Sequence, residues 1–400
     1  MTNASADKLY DVIVLGLGGM GSSACYSLVQ RGVSVLGIDQ FNMAHALGSS
    51  HGKSRLIRKA YAEHPDYVPL LQRSYELWDA LSQSTGDTLF HRTGLLYLGH
   101  DQSELCRGVE TSASLHDIPI EILTTDECTK RFPQFHVPDG YRAIFERDAG
   151  YIDVEGGVSA FCSEAQRLGA ELHFDERVVG WTSSEGDGSS TTPPIVTVTT
   201  AHGIYRASKL VLAAGAWSPS MLQTKNTALS VHKVPLFWFD SSQPAALEAA
   251  NGMPCFGVHM PHAFVYGFPY VAGDGIKIAA HIPGAVVPDP TALDRSTVTA
   301  AELAPVIDCI NACLPLVQPT PPRASAVCMY TMTPDEHFVL DVHAEYPRSV
   351  VVAAGFSGHG YKFAPVIGDI LADLALQDGT TAHPIAFLRR RPAVEAHASS

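Results

Sequence analysis

The sequence from residue 10 to residue 21 reads Tyr10-Asp11-Val12-Ile13-Val14-Leu15-Gly16-Leu17-Gly18-Gly19-Met20-Gly21. The apolar run over residues 10–15 predicts a buried parallel strand. A helix is predicted over residues 20–30, ending at Arg31-Gly32 with a cation and a glycine. The next apolar run, residues 33–38, predicts a second strand. This stretch therefore predicts a complete β-α-β unit.

The glycines between the first strand and the helix have the spacing of a dinucleotide-binding turn. Gly16 permits the tight turn, and Gly18 lets the backbone approach a pyrophosphate. Gly21 lets the helix pack close to the strand, with its N-terminus facing the phosphates. Asp39 follows the second strand, where a carboxylate accepts hydrogen bonds from ribose hydroxyls. These features together predict dinucleotide binding, and a glycine-rich turn without a ligand is the alternative.

The rest of the chain alternates between two kinds of segment. Buried strands of the same character are predicted near residues 170, 209 and 350, whereas residues 93–147 and 221–322 are richer in β-type and aromatic segments. We predict an α/β protein with a Rossmann-like cofactor domain and an inserted substrate domain on a mostly antiparallel sheet. The cofactor domain would comprise residues 1–92, 148–220 and 323–400, and the substrate domain residues 93–147 and 221–322.

Charge and apolar pattern restrict the partners of the protein. The 400 residues carry a net charge of −14, which disfavours nucleic acids and anionic membranes because both are polyanions. No apolar run is long enough to span a bilayer, and the first residues do not resemble a signal peptide. The eight cysteines form no Cys-x-x-Cys pair, so we expect buried reduced thiols and no metal site. A cytoplasmic protein is predicted.

A polar, glycine-punctuated segment over residues 48–58 follows the second strand. It contains Arg55 and Arg58, which are three residues apart and would share one face of a helix. A solvated helix face is the alternative explanation for the two arginines. At this point both FAD and NAD remain open as the dinucleotide.

Further blocks of sequence narrow the choice when they are taken together with the glycine turn. They are Gly48-Ser49-Ser50-His51-Gly52-Lys53-Ser54-Arg55-Leu56-Ile57-Arg58-Lys59-Ala60-Tyr61, Tyr67-Val68-Pro69-Leu70, Tyr266-Gly267-Phe268-Pro269, Lys277, His281, Ala326-Val327-Cys328-Met329-Tyr330-Thr331, Asp335-Glu336-His337-Phe338 and Gly355-Phe356-Ser357-Gly358-His359-Gly360-Tyr361-Lys362-Phe363. In this combination the chain resembles, over nearly its whole length, the monomeric sarcosine oxidase family. That family includes N-methyltryptophan oxidase and belongs to the D-amino-acid-oxidase superfamily.

The resemblance implies FAD as the cofactor, held by an 8α-thioether to Cys328; an ordinary buried thiol is the alternative. The residues expected to bind FAD are Gly16, Gly18, Gly21, Asp39, Ser50, His51, Arg55, Val178, Gly215, Trp217, Cys328, Gly355, Phe356, Gly358, Gly360 and Lys362. The chain departs from relatives that read Gly-Ser-His-His-Gly-Asp-Thr-Arg in this region. It has Ser50 for the first histidine and Lys53-Ser54 for Asp-Thr, which alters one polar contact with the flavin.

The resemblance also implies roles around the substrate. Arg58 and Lys362 match the pair that holds the substrate carboxylate, with a surface lysine as the alternative for Lys362. Lys277 matches the lysine that activates oxygen, where a fixed cation stabilises developing negative charge. His281 also matches the family, and a structural histidine is an equal alternative to a role in the cavity. The other catalytic residues implied are Arg55 near the flavin face and the cavity residues His359, Tyr330 and Tyr266.

The function implied is oxidation of a small secondary amino acid by formal hydride transfer to FAD. The imine is hydrolysed, dioxygen reoxidises the flavin, and hydrogen peroxide is released. The expected partners are the amino acid and O2, and the protein is expected to be a monomer. The alternatives are an oxidase or dehydrogenase of a cyclic, pipecolate-like or proline-like amino acid, a nicotinamide dehydrogenase, and a flavoprotein that only binds or senses.

Overall fold

The structure, a computed structural model, describes residues 8–185, 193–223 and 228–389. The strands are β1 (Leu9–Leu15), β2 (Val35–Ile38), β3 (Ser54–Ile57), β4 (Phe90–His91), β5 (Leu95–His100), β6 (Glu121–Leu123), β7 (Tyr141–Glu146), β8 (Gly150–Asp153), β9 (Glu171–His173), β10 (Val178–Ser183), β11 (Val196–Thr200), β12 (Ile204–Leu212), β13 (Ser230–Phe239), β14 (Cys255–Met260), β15 (Ala263–Gly267), β16 (Ile276–Ala280), β17 (Ala324–Met332), β18 (Val339–Val342) and β19 (Val350–Ala354). The α-helices are α1 (Gly19–Gln30), α2 (Val68–Thr85), α3 (Glu104–Leu115), α4 (Thr125–Arg131), α5 (Val154–Arg167), α6 (Ser218–Met221), α7 (Ala300–Cys313) and α8 (Ala364–Leu376). The first residues, in which no signal peptide was expected, lie outside the described ranges. The last residues of the predicted segment 323–400 also lie outside them.

The predicted β-α-β unit is present at the centre of a parallel sheet. The strands β9, β2, β1, β12 and β19 run parallel in that order. The strands predicted near residues 10, 33, 170, 209 and 350 are therefore confirmed as neighbours in one sheet. The helix α1 begins directly after Gly18 and packs against α5 and α8. An α/β fold of the Rossmann type follows, because each buried strand needs helices to cover its faces.

The second large sheet has the order β17-β13-β16-β15-β14-β5-β7-β6. It is antiparallel except for the pair β14 and β5, which is parallel. A separate core of buried aliphatic and aromatic side chains joins this sheet to α7. Most of its strands come from residues 93–147 and 221–322, but β17 belongs to the predicted segment 323–400 and pairs along β13. The domain boundaries themselves stay a prediction.

The segment that carries the two arginines is a strand, so the predicted helix is wrong. Arg55 lies within β3, which pairs with β8 in a small sheet completed by β4, and Arg58 follows the last residue of β3. On a strand, residues three apart point to opposite faces. Main-chain hydrogen bonds to β8, which lies almost a hundred residues later in the chain, hold residues 54–57 in an extended conformation. Arg55 and Arg58 therefore do not share one face of a helix.

The cysteines are all buried and unpaired, as predicted. Cys309 and Cys313 lie in α7 within the core of the second sheet. In the part of the chain that the structure describes, no helix has both the length and the apolar character needed to cross a membrane.

Candidate active site

A cavity of about 170 Å³ lies where α1 begins, at the carboxyl ends of β1, β2, β12 and β19. Ligands of open parallel sheets bind at this edge. The predicted cofactor residues that line it are Gly16, Gly18, Asp39, Ser50, Arg55, Val178, Gly215, Trp217, Cys328, Gly355, Phe356, Gly358 and Gly360. The predicted residues Gly21, His51 and Lys362 are not part of this lining.

The glycine turn brings backbone, without side chains, to the cavity wall. Gly16 has φ of +91°, and a Cβ atom there would lie 2.5 Å from the carbonyl oxygen of Ala213. A Cβ atom on Gly21 would lie 1.7 Å from the carbonyl oxygen of Gly16. Gly18 precedes α1 and offers no capping side chain. The start of α1 therefore has no side-chain cap from Gly18, which leaves room for an anionic ligand.

Asp39 and Ser50 shape the cavity around this turn. The buried Asp39 carboxylate accepts the N–H of Leu17 at 2.7 Å and that of Phe41 at 3.0 Å. Ser50 Oγ accepts the N–H of Gly19 at 3.0 Å. The side chain that replaces a histidine of the relatives thus contacts the first residue of α1.

His51 presents a buried polar atom that no described residue satisfies. Its ring is 3% exposed, and Nε2 has no hydrogen-bond partner. Burial lowers the pKa of His51 to about 3, and the charges of Arg55 and Lys277 act in the same direction. The imidazole is neutral, and a buried nitrogen without a partner is unusual in a folded protein.

Cys328 and Arg55 meet at the wall of the first cavity. Arg55 Nη2 lies 3.5 Å from the sulfur and donates to the carbonyl oxygen of Ser49 at 3.1 Å. Cys328 is 1% exposed and lies in β17. The sulfur therefore lies at the cavity wall beside a buried guanidinium.

A second cavity, of about 50 Å³, adjoins the first. It is lined by Leu56, Arg58, Glu63, Phe264, Tyr266, His281, His359 and Lys362, and Arg55, Gly358 and Tyr361 line both cavities. The predicted substrate residues Arg58, Lys362, Tyr266 and His359 therefore come together here. Tyr330 lines the first cavity.

Arg58 is paired with an acidic residue in the second cavity. Its side chain is 5% exposed, and Nη2 lies 2.5 Å from Oε1 of Glu63, whose side chain is 30% exposed. Burial acts to raise the pKa of Glu63, but Arg58, together with smaller contributions that include Lys362, brings that pKa down to about 2. Arg58 Nε is buried without a partner among the described residues. This arginine keeps donor capacity for a further acceptor.

Lys362 is buried beside Arg58, so the surface alternative is wrong. It is 4% exposed, and Nζ donates to the carbonyl oxygen of His359 at 2.5 Å. Its own carbonyl oxygen accepts Ser74 Oγ and Trp78 Nε1 of α2. Burial lowers the pKa of Lys362 well below its ordinary value, and the charge of Arg58 lowers it further. Two cations thus share one small, largely dry cavity.

Tyrosine and histidine side chains join the two cavities. His281 Nδ1 lies 3.1 Å from the hydroxyl of Tyr330, and burial lowers the pKa of His281 to about 4. Phe264 and Tyr266 form an aromatic wall, with ring centroids 6.4 Å apart. His281 is hence a neutral member of the cavity lining.

Lys277 extends from β16 to the polar segment of residues 48–58 without lining either cavity. It is 3% exposed, and Nζ donates to the carbonyl oxygens of Gly52 at 2.5 Å and Ser54 at 2.7 Å. Nζ also lies 4.8 Å from the ring centre of Phe268. Burial lowers the pKa of Lys277 well below its ordinary value, and Arg55 contributes in the same direction.

Two residues of the second cavity carried no signal of their own in the sequence. Glu63 lies on an irregular segment without periodicity, and only its ion pair with Arg58 reveals its place. Tyr61 belonged to a matching block but had no assigned role, and it contacts both cations. The only indication in the sequence was that Glu63 is a charged residue a few positions after Arg58.

The chain matches a protein-family model described as FAD dependent oxidoreductase over residues 11–374. It is 41% identical over 390 residues to a monomeric sarcosine oxidase of Streptomyces avermitilis, covering 96% of this chain and 97% of that protein. It is 35% identical over 371 residues to an N-methyl-L-tryptophan oxidase of Yersinia pestis, covering 91% of this chain and 94% of that protein.

The fold is similar to that of a solved structure, the open form of NikD, described as an unusual amino acid oxidase essential for nikkomycin biosynthesis. The TM-score is 0.83 with 26% sequence identity, and the match covers 98% of this chain and 100% of that chain.

Proposed function

The chain belongs to the FAD dependent oxidoreductase family, and we propose that it oxidises the carbon–nitrogen bond of a small secondary amino acid. The substrate we favour is an N-methyl amino acid of the sarcosine type, with dioxygen as the acceptor and hydrogen peroxide as the product. The relatives named monomeric sarcosine oxidase and N-methyl-L-tryptophan oxidase support this substrate class. The observation that carries the proposal is the pair of buried cations in the second cavity, beside the cofactor cavity.

Arg58 and Lys362 are suited to bind a carboxylate. Both are buried, and the partly exposed Glu63 is the carboxylate that pairs with Arg58 in this structure. Two cations that converge on one carboxylate fix its position, and they act more strongly in a water-poor cavity than in solvent. A substrate anchored there would place its α-nitrogen and the adjoining carbon toward the first cavity.

The size of the second cavity favours a substrate with a short side chain. Its volume of about 50 Å³ exceeds only a few times the roughly 10–15 Å³ that one water requires. Phe264 and Tyr266 form part of its wall and restrict the space further. An N-methylglycine-sized ligand suits this space better than an indole does.

FAD fits the first cavity on the evidence of its lining. The glycine turn and the start of α1 bring backbone to its wall, and Asp39 offers a carboxylate at the end of β2. When bound, FAD supplies the redox chemistry by taking a hydride equivalent from the amine carbon. The chain's own residues orient the substrate, exclude water and place charge. The proposal also includes that the protein is a monomer and that it is cytoplasmic.

We expect FAD to be attached through Cys328, so a Cys328→Ala variant should release it. In the parent protein, acid precipitation should leave the flavin in the pellet. In the variant, the same treatment should move it to the supernatant. The physical reason is that Cys328 lines the first cavity, and alanine there leaves no sulfur that could bond to the flavin. Cys106→Ala removes a buried thiol from α3 and should leave the flavin in the pellet. Release of flavin from the parent protein rules out the covalent link.

The substrate class is tested with a panel of amines under oxygen consumption and peroxide detection. N-methylglycine should give the highest kcat/KM, above glycine, N-methyltryptophan, proline and pipecolate, because it offers a carboxylate, a secondary amine and little bulk. Preference for proline or pipecolate would replace the proposal with a cyclic amino acid. Flavin reduction without oxygen uptake would identify a dehydrogenase. An absence of flavin absorbance would contradict the FAD assignment itself.

A further inference from the structure

Tyr61 is a fully buried side chain that contacts both cations of the second cavity. The ring centre lies 4.7 Å from Arg58 Cζ and 5.1 Å from Lys362 Nζ. Its hydroxyl lies 2.6 Å from His359 Nδ1 and 3.4 Å from Lys362 Nζ. Its carbonyl oxygen accepts the hydroxyl of Ser112 on α3 at 2.6 Å, which anchors the backbone at this point.

The direction of the hydrogen bonds around Tyr61 follows from its neighbours. His359 Nε2 lies 3.0 Å from the carbonyl oxygen of Glu336, so Nε2 carries the proton and donates it. Burial lowers the pKa of His359 to about 3, so the ring is neutral and Nδ1 accepts. The hydroxyl of Tyr61 therefore donates to Nδ1, and its oxygen lone pairs are left for the ammonium of Lys362. The chain of hydrogen bonds has one direction and ends on a backbone carbonyl.

The ring of Tyr61 adds a second contribution. Arg58 and Lys362 are like charges held close together, which by itself drives them apart. Glu63 offsets part of this repulsion, but its side chain is 30% exposed. The negative face of an aromatic ring attracts a cation within about 6 Å, and the ring of Tyr61 has both cations within that distance.

We propose that Tyr61 is a positioning residue that holds Arg58 and Lys362 in the converging arrangement needed to bind the substrate carboxylate. This inference rests on the carboxylate site of the proposed function and names the residue that assembles it. The hydroxyl fixes the ammonium of Lys362, and the ring holds the two cations together. The acidic ligand itself is bound by the cations, not by Tyr61.

The test compares two ligands that differ in charge only at the carboxyl group. The probes are 2-methoxyacetate and 2-methoxyacetamide, in which an ether oxygen replaces the amine so that neither is oxidised as an amine. They are titrated into the flavin-loaded protein while the flavin absorbance is followed. In Tyr61→Phe, the Kd of methoxyacetate should rise about tenfold, as expected for a lost hydrogen bond to a charged group. The Kd of methoxyacetamide should change less than about twofold, since the amide does not depend on the cations.

Further variants separate a positioning role from a structural one. Tyr75→Phe removes another buried hydroxyl, one without a hydrogen-bond partner among the described residues, and should leave both Kd values unchanged. Tyr61→Leu also removes the aromatic face and should weaken methoxyacetate binding a further few-fold. Equal losses for the two ligands in Tyr61→Phe, or no loss for methoxyacetate, would overturn the proposal. A Leu variant no weaker than the Phe variant would reject the part played by the ring.

The ligand titration also separates this inference from the proposed function. If the parent protein prefers methoxyacetate to its amide but oxidises no N-methyl amino acid, the substrate assignment fails and the role of Tyr61 stands. If the parent binds methoxyacetate no better than the amide, the carboxylate site does not exist and the role of Tyr61 falls with it.

Discussion

Lys277→Met should slow the reaction of the reduced protein with dioxygen by about 10²–10³-fold, the usual loss when one preorganised electrostatic donor is removed. Anaerobic reduction by the substrate should change far less. Dioxygen is small and neutral, and negative charge develops on it only as it is reduced. A fixed cation nearby is then the main means by which the protein can stabilise that negative charge. Lys277 is 3% exposed and is held by the carbonyl oxygens of Gly52 and Ser54, so its amino group is fixed in position beforehand.

The two half-reactions are separated by stopped-flow absorbance of the flavin. Methionine keeps a similar length and apolar bulk, so the packing against Phe268 is largely preserved. Lys53→Met removes an exposed lysine of the polar segment of residues 48–58, paired with Asp274, and should affect neither half-reaction. Equal slowing of both half-reactions in Lys277→Met would indicate a disturbed flavin site. Unchanged reoxidation would reject the oxygen role.

The direction in which the reoxidation rate changes with pH follows from the pKa of Lys277. Burial lowers the pKa of Lys277, and Arg55 lowers it further, while Cys328 and Glu155 oppose these effects. A lysine with a lowered pKa loses its charge at a lower pH than a solvent-exposed lysine does. Reoxidation should therefore be fast at low pH and fall as the pH rises through this lowered pKa. In Lys277→Met that fall should disappear.

Arg58→Ala should raise the KM for an amino acid substrate by a factor that corresponds to about 2–5 kcal/mol of lost binding. Lys362→Met should act in the same direction. Both cations are about 4% exposed, and losing one partner of a desolvated charge pair is costly because the remaining charge stays buried. Steady-state KM and kcat measure the effect. Arg73→Ala, which removes a half-exposed arginine paired with Glu76, is the matched control and should leave KM unchanged.

Glu63→Gln should change KM in the direction opposite to that expected for Arg58→Ala. Its carboxylate holds Nη2 of Arg58, which the substrate carboxylate would also use. The pKa of Glu63 is lowered to about 2 by Arg58, against the effect of burial, so the acid is charged at every ordinary pH and its competition is constant. Removing that charge should lower KM for an anionic substrate. If Arg58→Ala binds the substrate as well as the parent does, the carboxylate site is wrongly assigned.

The sequence by itself determined the Rossmann-like half of the fold. The apolar run of β1, the glycine turn and α1 are contiguous, so short-range geometry and burial specify them together. The strand predicted near residue 350 matches β19 for the same reason. The burial of the cysteines could also be predicted, since an uncharged thiol without a partner is usually found in a core.

Only the tertiary structure decided how the candidate site is assembled. Residues 54–57 became a strand because β8 supplies its hydrogen bonds, and no local periodicity in that polar segment could reveal this. The register of β17 on β13 places Cys328 opposite Val234, and the loop after β19 brings Lys362 beside Arg58 and Tyr61. These contacts join residues up to three hundred positions apart. Their energies depend on burial and on distances between side chains, which a linear sequence does not contain until the chain has folded.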